Sequence, residues 1–130
     1  MSRSHHLGEL QLAIIRILWE QGEATVAQVH QVLHSDGGRA LTTIATMLKK
    51  MEKKDVVRHR LDGRQFVYQA TVSESQVRNS MVSELTERLF QGDVAALVNH
   101  LIADERVDGD ELAKLKRLIS QAEQRSQEKA

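Results

Sequence analysis

The chain has 130 residues, 41% of them hydrophobic, which suffices for one or two small domains. It contains no Cys, so a disulfide framework, a thiolate zinc site and a Cys nucleophile are excluded. Eighteen Lys and Arg balance eighteen Asp and Glu, and no apolar run approaches the ~20 residues that a membrane span requires.

The opening MSRSHHLGELQ lacks a signal-peptide core, so an unsecreted, cytoplasmic protein is expected. With no Pro and few aromatic residues, the composition favours helices over a β-sandwich. Overall neutrality hides an asymmetry. Residues 1–72 hold ten Lys and Arg against seven Asp and Glu, and residues 73–130 hold eight against eleven. The basic half is the candidate binder of a polyanion.

A first helix is expected over residues 7–20. Leu10, Ile14, Ile17 and Leu18 make one stripe, and Leu12, Ile15 and Trp19 make a second. A helix apolar almost all round belongs in the centre of a fold. Gly22 suits its C-terminal cap. Glu23-Ala24 is a short extended piece that can pair with a later hairpin. Thr25 followed by Gln28 is a capping box, and Val26, Val29 and Leu33 form the core face of the helix it opens. Ser35-Asp36-Gly37-Gly38 ends that helix in a turn.

A third helix follows from about Thr42 to Lys54. Leu41, Ile44, Leu48 and Met51 form its apolar stripe, and Thr43, Thr46, Lys49, Lys50 and Lys53 occupy the other face. The period then changes. Val57, His59 and Leu61 alternate with Arg58 and Arg60, and Phe66 and Tyr68 flank Val67. Asp62-Gly63 between these runs predicts a hairpin closed by a type I′ turn. From Arg39 to Arg64 there are eight Lys and Arg against three acids.

Three more helices follow. Ser73 with Gln76 caps the first, which runs to about Gln91 with Val77, Met81, Leu85 and Leu89 along one side. Val94, Leu97, Val98, Leu101 and Ile102 mark the second. Asp108 with Glu111 caps the third, marked by Leu112, Leu115, Leu118, Ile119 and Ala122; residues 123–130 are polar and expected to fray. About fifty residues bury such stripes poorly alone, so these helices are expected to pack on a second copy.

Helix, extended piece, helix, turn, helix and basic hairpin is the order of a winged helix-turn-helix. The runs LGELQLAIIRILWEQGEATVAQVHQVL, ALTTIATMLKKMEKKDVV and DGRQFVY resemble the penicillinase-repressor (BlaI/MecI/CopY) family. Leu-Trp-Glu-x-Gly at 18–22, Thr-Thr-Ile-x-Thr at 42–46 and the basic wing carry the likeness, which covers residues 7–70 closely. The expected fold is mainly α: a winged-helix DNA-binding domain over 1–72, then a three-helix dimerisation domain over 73–130.

The resemblance implies a repressor that binds double-stranded DNA as a homodimer on an inverted-repeat operator, at antibiotic-resistance or envelope-stress operons. Thr43, Thr46 and Lys50 occupy positions that face DNA in the family; the two threonines lie near the helix N-terminus, the end that reaches bases, and Lys50 lies one turn further along. Arg39, Lys49, Lys53, Arg60 and Arg64 are the candidate phosphate contacts, as is Thr42, which can alternatively cap the helix. Met81, Leu85, Leu89, Leu97, Leu101 and Leu115 are the candidate dimerisation residues. Family members usually carry Gly where Asp55 stands, a position that wants left-handed backbone. The resemblance also implies relief of repression through a membrane sensor protease. The bond cut in the best-known relatives is Asn-Phe, whereas the matching stretch reads Val98-Asn99-His100-Leu101.

No cofactor, metal or catalysis is expected. His30 and His34 have a spacing that can bind metal but lack a third ligand, and His59 is a packed or phosphate-facing wing residue. The Cys-rich copper-sensing branch of the family is excluded. No phosphate loop, nucleophile elbow or zincin motif occurs. The competing reading is a winged-helix module whose basic face serves a protein rather than a specific DNA sequence.

Overall fold

A computed structural model describes residues 7–33 and 39–129. The elements are α1 (Glu9–Gln21), β1 (Ala24–Thr25), α2 (Val26–Leu33), α3 (Leu41–Lys53), β2 (Val57–Asp62), β3 (Gln65–Ala70), α4 (Glu74–Phe90), α5 (Val94–Ala103) and α6 (Gly109–Glu128). The chain divides into two compact units, Met1–Glu84 and Leu85–Ala130.

In the first unit α1 is the central helix. Ile14, Ile15, Ile17 and Leu18 are buried with Val29 of α2, Ile44, Leu48 and Met51 of α3, and Tyr68 of β3. Gly22 ends α1 at φ 83, a left-handed value that glycine adopts without strain, and its N–H donates to the Leu18 carbonyl. The extended piece pairs as expected, one residue later than the sequence suggests: Ala24 opposes Tyr68 and Thr25 opposes Val67. The sheet order is therefore β1-β3-β2, all antiparallel. The Thr25–Gln28 capping box forms in full: Thr25 Oγ1 accepts from the Gln28 N–H, and Gln28 Oε1 from the Thr25 N–H. The turn at 35–38 lies outside the described residues.

The start of α3 differs from expectation in two respects. Its N-cap is Ala40, which offers no side-chain oxygen, so Thr42 lies inside the first turn and is not the cap. Leu41 is 47% exposed rather than part of the core stripe. The core face of α3 begins only at Ile44, once the helix has turned toward α1. The C-terminus closes as a Schellman motif. Asp55 takes φ 62, its N–H donates to the Glu52 carbonyl, and the Val56 N–H donates to the Met51 carbonyl. Met51 and Val56 are both fully buried, and apolar residues at these two positions suit the motif.

The hairpin also forms, with a different turn. Asp62 pairs with Gln65, so Gly63 and Arg64 are the two central residues. Gly63 has φ 64 while Arg64 keeps a negative φ. One positive φ at the first position is the requirement of a type II′ turn, not type I′.

In the second unit, Asp93 caps α5 by accepting from the Ala96 N–H, and the Asp108–Glu111 capping box opens α6. α6 continues to Glu128, so the polar segment from 123 is helical rather than frayed. Arg106 Nε donates to Asp104 Oδ2 at 2.7 Å, and this bond, with the charge behind it, holds the Asp104 carboxyl below its ordinary value. Among the described residues, no apolar side chain of this unit is buried.

Candidate nucleic-acid interface

The outer face of α3 is built by exclusion. Ile44, Leu48 and Met51 turn inward with no exposure, which forces the intervening residues outward. Thr42, Thr46, Lys49 and Lys53 follow one another along the opposite side, all exposed, with Lys50 beside them. Thr43 is half-buried on the flank, and its backbone N–H is held by the Ala40 carbonyl. Of the three candidate base readers, Thr46 and Lys50 therefore stand fully proud of the helix and Thr43 stands at its edge.

Lys49 and Lys53 line an open groove together with Glu52 of α3 and His59, Phe66 and Tyr68 of the wing. This groove brings α3 and the hairpin into one surface. Arg64 sits at the exposed tip of the turn. Lys49, Lys50, Lys53 and Arg64 make no ion pair among the described residues.

Arg60 is already engaged. Its Nη2 donates to Glu23 Oε1 at 2.8 Å and its Nε to Glu23 Oε2 at 3.3 Å, which raises its already high pKa. A phosphate at Arg60 would compete with that carboxylate. Arg39 is exposed just before α3, and its backbone carbonyl meets His30 Nε2 at 2.9 Å. That contact ties α2 to the approach to α3. His34 lies outside the described residues, and among those described no group of three His, Cys, Asp or Glu could hold a metal ion.

Two contacts of this surface were not anticipated. Glu23, at the end of the α1–β1 turn, anchors a wing arginine 37 residues away. Glu52 Oε1 accepts from His59 Nδ1 at 2.6 Å, across the turn between α3 and β2. Both depend on where the hairpin lies against the rest of the unit.

The candidate dimerisation residues differ among themselves. Met81 is half-buried and packs on the core of the first unit. Leu85, Leu89 and Leu101 are exposed, and Leu97 and Leu115 are half-buried. Val94, Ile102, Leu118 and Ile119 are also exposed.

The family model for the penicillinase repressor matches residues 7–121. The chain belongs to the penicillinase-repressor family. It is 32% identical over 125 residues to the transcriptional regulator BlaI of Mycobacterium tuberculosis, covering 95% of this chain and 89% of that one. It is 22% identical over 128 residues to the penicillinase repressor of Bacillus licheniformis, covering 98% of this chain and the whole of the relative. Among solved structures, the monomeric form of Bacillus licheniformis BlaI bound to the blaP half-operator superposes with a TM-score of 0.50. That match has 26% identity and covers 58% of this chain and 93% of the other. The winged helix-turn-helix read from the sequence is thus the fold of this family. No described helix is long and apolar enough to cross a membrane.

Proposed function

We propose that this chain is a transcriptional repressor that binds double-stranded DNA sequence-specifically, as a dimer on an inverted-repeat operator. The observation that carries the reading is the groove where Lys49 and Lys53 of α3 face the wing. A helix of this width enters a major groove, and the wing beside it reaches the flanking backbone. Thr46 and Lys50 read base edges, with Thr43 at the margin. Thr42, Lys49, Lys53, Arg39 and Arg64 hold phosphates, and Arg60 joins them by exchanging Glu23 for a phosphate.

The dimer rests on the second unit. Its apolar side chains at Leu89, Val94, Leu101, Ile102, Leu118 and Ile119 lack cover within one chain. A second copy supplies it, and a two-fold dimer matches an inverted repeat. Bound at a promoter in the cytoplasm, the dimer blocks transcription, and this role needs no catalysis. Relief of repression by proteolysis linked to a membrane sensor extends the reading. Cleavage within the C-terminal region would separate part of the second unit from the DNA-binding unit.

A gel-shift against fragments of the source genome tests the proposal. Binding should select particular fragments and weaken with salt, by a log–log slope of about −0.9 for each phosphate neutralised. Absent or salt-insensitive binding would identify a protein-interaction module instead.

A further inference from the structure

The wing reaches past its own sheet. β1 supports β3 only at Tyr68 and Val67. Residues 61–66 lie beyond that support as a two-stranded ribbon, and such a ribbon is marginally stable in water. Leu61 and Phe66, which pair directly across it, are 65% and 40% exposed.

A contact from the reading helix meets this ribbon at its root. Glu52 Oε1 and His59 Nδ1 lie 2.6 Å apart. A carboxylate only accepts, so Nδ1 carries the proton. The His59 ring stacks on Phe66 with centroids 4.3 Å apart and planes inclined by 26°. Tyr68, buried beneath, lies 5.5 Å from the His59 ring and meets Phe66 edge-on at 6.4 Å. A chain of contacts therefore runs from α3 through Glu52 and His59 to the outer wing.

The acid is costly for a DNA-binding surface. Glu52 stands in the same groove as Lys49 and Lys53, where a negative charge repels phosphate. On charge alone, its removal would strengthen binding to any duplex. We infer that Glu52 and His59 are positioning residues, which fix the wing at one angle to the reading helix so that both engage the same duplex. This inference rests on the DNA-binding reading above.

The experiment compares Glu52→Gln with Glu52→Ala by fluorescence anisotropy, on an operator duplex recovered by gel-shift and on random duplex. Both variants remove the charge, but only Gln keeps an acceptor for the Nδ1 proton. Glu52→Gln should retain the wild-type preference for operator, and Glu52→Ala should lose about tenfold of it. His59→Phe keeps a ring on Phe66 without the donor and should show the same loss. The double variant Glu52→Ala/His59→Phe should lose no more than either single one.

Equal preferences for the Ala and Gln variants, or additive losses, overturn the clamp. Hydrogen exchange provides a readout without DNA: amides of residues 61–66 should exchange about tenfold faster in Glu52→Ala, with core amides unchanged. Unchanged exchange in the wing also overturns it. Wild-type protein that prefers no duplex would instead overturn the DNA-binding reading itself, and that result is read before any variant is made.

Discussion

The Trp19 indole Nε1 donates to the Val72 carbonyl at 2.8 Å, joining α1 to the residue just before the Ser73 cap of α4. The bond is part-buried and spans 53 residues of sequence. It ties the start of α4 to the central helix of the winged unit.

Replacing Trp19 with Phe should leave that carbonyl short of a partner while keeping much of the packing. A loss of about 1–2 kcal/mol in urea unfolding, followed by circular dichroism, is expected. An unchanged midpoint would mean that water satisfies the carbonyl at no cost.

Asp55 pays for the Schellman turn with a left-handed backbone that glycine adopts freely. Asp55→Gly should therefore stabilise the fold by up to about 1 kcal/mol. Asp55→Val, with a β-branched side chain at φ 62, should destabilise it. Thermal melts of the two variants check both signs, and a loss in Asp55→Gly would show that the Asp side chain contributes more than its backbone costs.

Tyr68 is the only tyrosine of the chain, and burial, assisted by the charge of Glu52, raises its pKa. The phenolate is disfavoured in the folded protein, while the unfolded chain ionises near the ordinary value of ~10. Its contribution to stability is thus complete below that value and is lost as pH rises through the higher folded one. Alkaline titration followed by tyrosinate absorbance should show ionisation above the ordinary value in folded protein. Ionisation at the ordinary value would contradict the burial.

Thr46 and Lys53 stand on the same exposed line of α3 but are assigned different tasks. Thr46→Ala should reduce the preference for operator over random duplex, by about 1–3 kcal/mol at one base pair. Lys53→Ala should weaken binding to both equally and lower the salt slope by about 1. Equal losses on both duplexes for Thr46→Ala would remove it from the base readers.

Leu85→Asp places a charge at an exposed apolar position of α4. Sedimentation velocity should show a shift from dimer to monomer, with operator affinity reduced and the winged unit still folded. An unchanged oligomer would move the interface elsewhere on the second unit.

What the sequence revealed was local. The capping boxes at Thr25, Ser73 and Asp108 all form, because each needs only residues three apart. The left-handed backbone at Asp55 was legible through the family resemblance, because relatives usually carry Gly at that position. Leu41 misled because helical spacing identifies a stripe, while the point where that stripe meets the core depends on how α3 crosses α1. The turn type misled because Asp62-Gly63 and Gly63-Arg64 differ by one residue of register, which cross-strand packing decides. Glu52–His59 and Glu23–Arg60 lay beyond reading, since both depend on where the hairpin is placed against the rest of the unit.

The central claim is that the outer face of α3 and the tip of the wing form one surface that takes one duplex. Titrating isotopically labelled protein with an operator duplex, while following backbone amide resonances, tests it most directly. The amides of residues 42–53 and 60–66 should shift together at a single saturation point. Shifts confined to one of these segments, or centred on α5 and α6, would contradict the account.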